Sequence, residues 1–200
     1  MFPLSTVLFP RSELPLHVFE PRYRELIADC LAGESEFGVV LIERGSEVGG
    51  GDSRASIGTL AHIESTTPLG DGRSAVVTEG TRRFRIRRWM GERPYPSALI
   101  EELPDAALDS NDELLGRALR SVQRVRAVLS ELGEVAALPL DPDLGTSPHE
   151  IGWRLCALAP LTPFDAQRLL ELDDPAERLR ALEALCEAFA ADLHRLLAGT

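Results

Sequence analysis

The sequence predicts an α+β protein, β-rich first and helical afterwards, and three observations carry that reading. Residues 1–105 are built of short β-leaning runs at 2–9, 14–19, 37–43, 57–65, 74–79, 82–90 and 97–103, separated by Gly, Pro and Ser clusters. From about residue 110 the apolar residues change to helical spacing. Three later segments, Ser147-Pro-x-Glu150, Thr162-Pro-x-Asp165 and Asp174-Pro-x-Glu177, repeat one helix start. Each offers an N-cap oxygen, proline at N1 and an acid at N3 facing the helix dipole. Strands followed by helices make an α+β arrangement. The acidic stretch 101–113 is the natural hinge, so the expected domains are 1–105 and 106–200.

One helix is expected inside the β region. Pro21 opens it, Leu26, Ile27, Cys30 and Leu31 form its apolar stripe, and Gly33 stops it. The segment ERGSEVGGGDSRAS, residues 43–56, is too polar and glycine-rich to pack and reads as a mobile loop; it holds no GxGxxG fingerprint. In the second half, Ser110-x-x-Glu113 forms a capping box ahead of a helix running through Leu114, Val122 and Leu132. Residues 133–147 read as an ordered loop. The last helix carries Leu179, Leu182, Cys186, Phe189, Leu193 and Leu196 in a seven-residue rhythm. That stripe either packs inside its own unit or forms a dimer seam, so monomer and dimer both stay open.

Composition narrows the chemistry. The formal net charge is −11, and all 21 basic residues are arginine, since the chain contains no lysine. No P-loop lysine, lysine general base or Schiff-base lysine is available. The cysteines, Cys30, Cys156 and Cys186, are far apart and form no CxxC. The N-terminus lacks a basic n-region and is interrupted by Pro3, Pro10 and Pro15, which argues against a signal peptide or membrane span. A cytoplasmic location is expected. His17, His62, His149 and His194 form no HExxH or HxH pair, there is no GxSxG elbow, and no metal, cofactor or catalytic residue is assigned.

The segment TEGTRRFRIRRW is the sharpest local feature, with Arg82, Arg83, Arg85, Arg87 and Arg88 inside seven residues. In a strand, Phe84 and Ile86 share a face with Arg82 and Arg88, while Arg83, Arg85 and Arg87 project from the other. Glu79, Glu92, Glu101 and Glu102 are close enough in sequence to pair with them across strands. The leading reading is a solvated, partly ion-paired strand face. A site for a peptide or acidic partner, and an RNA grip over Arg82–Arg88, are the alternatives. Net acidity opposes the RNA grip.

PLSTVLFP, LPLHVFEPRYRELI, FGVVLI, IGTLAHI and VTEGTRRFRI follow one another in an order and spacing that resembles the LON substrate-binding domain, the N-terminal part of ATP-dependent Lon proteases. LELDDPAERLRALEALCEAF is similar to the end of that domain, where a helix follows a D-x-x-E-R-L pattern. The resemblance covers essentially the whole chain. It implies a PUA-like β pseudobarrel with one inserted helix, followed by a C-terminal helical bundle, in a stand-alone form without the ATPase and protease modules. It also implies a non-enzymatic polypeptide-binding role linked to proteolysis or protein quality control. PUA-like barrels include RNA binders, which keeps the RNA alternative in view. An apolar groove between the two halves is the expected site; Tyr23, Trp89, Tyr95 and Trp153 read first as core rings and, in the alternative, as its surface, with Arg83, Arg85 and Arg87 at its rim. One departure stands out: glycine is usual after LFP in the family, and here Arg11-Ser12 follow. The turn must then avoid positive φ or carry strain.

Overall fold

A computed structural model describes residues 1–45, 53–108 and 112–198. It divides into two compact units, Met1–Asp105 and Ala106–Thr200. The fold is α+β: among the described residues, a mixed sheet and five helices.

The first unit holds β1 (Phe2–Leu4), β2 (Glu13–Val18), α1 (Pro21–Ala32), β3 (Glu36–Arg44), β4 (Ser53–Gly70), β5 (Arg73–Gly91) and β6 (Ser97–Glu102). Five strands run in the order β1-β3-β4-β5-β2, and β6 pairs with β5 beside them. β1 is parallel to β3, and the other pairings are antiparallel. The long β5 is shared: residues 74–79 pair with β2, and residues 84–91 pair with β6. Phe2, Leu8, Val18, Tyr23, Leu26, Ile27, Phe37 and Val39 belong to the main core; Val40, Leu60 and Phe84 form a second cluster.

Several expectations are corrected here. The run 2–9 is a strand only over Phe2–Leu4. The runs 74–79 and 82–90 are one strand, uninterrupted at Gly80. That glycine does not break the strand but lets another backbone approach: a Cβ there would stand 2.2 Å from the carbonyl oxygen of Phe9. On α1 the buried stripe is Tyr23, Leu26 and Ile27, while Leu31 is exposed. Of the expected mobile loop, Glu43–Arg44 and Ser53–Ser56 are strand and residues 46–52 lie outside the described residues.

Arg11 settles the turn question. Its φ is +62°, and the Ser12 N–H donates to the Phe9 carbonyl at 3.3 Å, closing a turn with Pro10 at its second position. The Arg11 N–H donates to Gly80 O at 2.8 Å, and the Gly80 N–H donates to Ser12 O at 2.9 Å. Two residues thus oppose one, a bulge whose left-handed position favours glycine. The strained alternative is the one adopted.

The second unit holds α2 (Asp112–Glu131), α3 (Pro148–Leu158), α4 (Pro163–Glu171) and α5 (Pro175–Ala198). Ser147 Oγ accepts from the Glu150 N–H, Thr162 Oγ1 from the Asp165 N–H, and Asp174 Oδ1 from the Ala176 N–H, so all three expected caps form. Ser110 lies outside the described residues. The 133–147 segment is tied to α2: Gln123 donates to the carbonyls of Pro139 and Leu140, and Arg126 donates to the carbonyl of Ala136 and also to that of Leu158, at the end of α3. On α5, Leu179, Leu182 and Cys186 are buried, while Leu196 is exposed.

Candidate functional site

The two outer strands of the five-strand path, β1 and β2, meet at one cavity. It measures about 170 Å³ and is walled by Phe2, Leu4, Leu16, Val18, Phe19 and Tyr23. Alternation along β2 buries Val18 and half-buries Leu14 and Leu16, leaving Glu13, Pro15 and His17 outward. Phe2 stacks on Tyr23 with ring centroids 4.0 Å apart, which fixes one wall. Phe19 is 53% exposed at the mouth, with its ring 5.9 Å from that of His17. Glu20 also lines the cavity and pairs with Arg22 at 3.0 Å. The lining is mixed: Pro15, His17 and Glu20 stand beside the apolar walls, so an apolar side chain could dock against Phe2, Leu4 and Val18 with polar groups at its edge. An empty apolar site of about 150 Å³ holds a benzene ring, so one such side chain fits.

A second depression of about 320 Å³ runs along α4 and α5 between Arg168, Leu172, Glu177, Ala181 and Leu185. Its lining carries no aromatic ring.

The expected site residues scatter. Tyr23 is 4% exposed and belongs to the core, yet its ring also walls the cavity; Trp153 is 0% exposed and sealed in the helical unit. Trp89 is half-buried, with the Arg54 guanidinium 4.5 Å from its ring centroid. Arg54 also grips Glu92 at 3.0 and 3.2 Å. Tyr95 packs against the main core and donates its hydroxyl to Asp29 Oδ2 at 2.7 Å. That hydrogen bond, aided by burial, pushes its pKa up to about 12.

The arginine strand is only partly a solvent face. Arg83 is 1% exposed, a correction to its expected projection into water. Its guanidinium lies toward Pro104 O at 3.4 Å, and its carbonyl accepts from the Leu103 N–H, so the segment after β6 covers it. Arg82 pairs with Glu36 at 2.9 Å and Glu102 at 3.1 Å, Arg87 pairs with Glu101, and Arg11 pairs with Glu79 at 3.9 Å. Of the four expected acids, Glu101 and Glu102 pair with arginines of this stretch across β5 and β6, whereas Glu79 pairs with Arg11 and Glu92 with Arg54. Arg85 stands opposite Glu101 in the register. Arg85 and Arg87 lie on the half of β5 that pairs with β6, whereas β2 and its cavity adjoin the other half.

Sequence reading missed two features. The cavity joins Phe2 and Leu4 to residues 15–23 through sheet register; Tyr23 is the wall residue that sequence did name, and Phe19, apolar at the exposed end of an alternating strand, is the further signal. The other is Arg178, 3% exposed, whose guanidinium lies 3.5 Å from the centroid of the Trp153 ring. It donates to the carbonyls of Leu169 at 3.3 Å and Leu172 at 2.6 Å, capping the C-terminal end of α4. The arginine of D-x-x-E-R-L is its signal.

Burial pushes the Cys156 thiol up to about 12 and Cys186 to about 11, and it raises Cys30. These thiols stay protonated near neutral pH, the form that does not attack. Among the described residues, no group of three His, Cys, Asp or Glu gathers as a metal site, and no helix is long and apolar enough to cross a membrane.

Residues 1–186 match the family described as the ATP-dependent protease La (LON) substrate-binding domain, and the chain belongs to that family. It is 30% identical over 191 residues to Lon protease 2 of Sorangium cellulosum, covering 90% of this chain and 23% of that protein. It is 24% identical over 206 residues to the LON peptidase N-terminal domain and RING finger protein C14F5.10c of Schizosaccharomyces pombe, covering 88% of this chain and 42% of that protein. The structure resembles a Lon N-terminal domain protein from Xanthomonas campestris, with a TM-score of 0.63 and 31% identity over 92% of this chain and 95% of that one. The chain thus spans less than a quarter of the length of the Lon protease it matches.

Proposed function

We infer that this chain is a non-enzymatic polypeptide-binding module, which takes an apolar side chain of an unfolded or partly unfolded protein into the β1–β2–α1 cavity. The observation that carries this reading is the ring-walled cavity of about 170 Å³ with an exposed phenylalanine at its mouth. Membership of a substrate-binding domain family supports polypeptide as the ligand. The role is substrate recognition or adaptor work linked to proteolysis or quality control. The first unit is read as a PUA-like pseudobarrel, consistent with its two outer strands bordering one cavity, and the second as a helical bundle. Buried free thiols at Cys156 and Cys186 suit a reducing compartment, so the cytoplasm is the proposed location.

Binding of a labelled unfolded polypeptide, followed by anisotropy for the wild type and Leu16→Phe, tests it. The larger side chain fills the cavity, and affinity should drop about tenfold or more. Unchanged affinity in a folded variant refutes the site. The RNA alternative is weakened by the burial of Arg83 and the acid partners of Arg82 and Arg87.

A further inference from the structure

Taking the cavity as the binding site, we propose that it reads side chains alone, and that the bound segment is not added to the sheet as an extra strand. Strand addition is the obvious expectation where an apolar cavity lies between two outer strands, because their outward N–H and C=O groups form a ready ladder. Here both ladders are interrupted.

The hydrogen-bond phase of β2 is fixed at its start. The Gly80 N–H donates to Ser12 O, and the register continues with Leu14↔Thr78, Leu16↔Val76 and Val18↔Ser74. Backbone groups alternate in an antiparallel pair, so these even-numbered residues bond to β5 and Glu13, Pro15 and His17 direct theirs to the free edge. Thr78 Oγ1 donating to Leu14 O at 2.9 Å fits the same phase. The central outward residue is therefore Pro15, which has no N–H and whose ring stands where an added strand would lie. Opposite, β1 is three residues long with Pro3 at its centre. It is too short to template a strand, and Pro3 has no donor on either side.

With main-chain pairing blocked on both sides, affinity comes from desolvating one apolar side chain among Phe2, Leu4, Leu16, Val18 and Tyr23, under Phe19. Recognition is then indifferent to the ligand's backbone and tolerant of sequence around the anchor. Such a reader suits unfolded segments of many sequences.

The test uses the full chain and three short unfolded Gly/Ser peptides: one with a single Phe, the same peptide N-methylated at Phe and both neighbours, and one with Ala in place of Phe. The first two should bind within about twofold of each other, and the Ala peptide about tenfold more weakly. If N-methylation costs as much as removing the ring, main-chain pairing is essential and the side-chain-only mode falls, while the cavity remains the binding site. If the Ala peptide binds as well as the Phe peptide, or none binds, the cavity reading itself fails and the mode falls with it.

Discussion

The two units close their cores differently. In the helical unit, Trp153 is fully buried under the Arg178 guanidinium, that guanidinium satisfies the carbonyls ending α4, and three helix N-termini carry side-chain caps. In the sheet unit, Phe2 and Tyr23 stack, yet beyond them the layer of β1, β2 and α1 stops short of full packing and Phe19 sits in solvent. Interiors normally fill to crystal-like density, so an unfilled apolar hollow at a surface marks a place where stability was not the only requirement. The helical core is sealed around Trp153, and the depression along α4 and α5 has no ring in its wall; the ring-walled hollow belongs to the sheet unit.

The sharpest ways to break that contrast act on the sealed core. Cys156 and Cys186 have folded pKa values near 12 and 11, raised by burial above the ordinary 9. Raised acids keep their proton when folded, so their contribution is complete below pH 9 and lost as pH climbs toward 11–12. Urea unfolding at pH 11 should show roughly 2 kcal/mol less stability per thiol than at pH 8. Cys186→Ala should remove its share of that loss.

Arg178→Ala leaves the Leu169 and Leu172 carbonyls without their donor and uncovers Trp153, and should destabilise by roughly 3 kcal/mol, read as a lower urea midpoint. Phe19→Ala should do the opposite in kind: stability within about 0.5 kcal/mol, polypeptide affinity down about fivefold to tenfold. Replacing the caps, Ser147→Ala or Thr162→Ala, should cost about 1 kcal/mol each without touching binding. Smallest and opposite in sign, Arg11→Gly should stabilise by roughly 1 kcal/mol, because glycine adopts the φ of +62° without strain. A melting-temperature increase would report it.

Legibility follows the same division. Helix starts were readable because a cap, a proline and an acid lie within four residues and act locally. The Arg11 strain was readable as one of two outcomes because only the backbone at that turn decides it. Gly80, by contrast, reads as a strand break in sequence and is a crossing point in space, since its neighbour Phe9 is remote in the chain. Arg83 misled in the same way: alternation assigns it a face, but not the Leu103–Pro104 segment that covers that face. A large ring suits burial as readily as contact: Trp153 is core alone, whereas Tyr23 is core and cavity wall at once. The cavity was hidden because its walls come from β1, β2 and α1, joined through the register of β3, β4 and β5.

The most direct test of the account is a side-by-side titration of wild type and Phe19→Ala with a labelled unfolded polypeptide and a labelled single-stranded RNA, at low and physiological salt. Wild type should bind the polypeptide at both salt concentrations, the variant should bind it about fivefold to tenfold more weakly while melting like wild type, and neither should retain RNA at physiological salt. Polypeptide affinity unchanged in Phe19→Ala, or salt-sensitive RNA binding as the only signal, would contradict it.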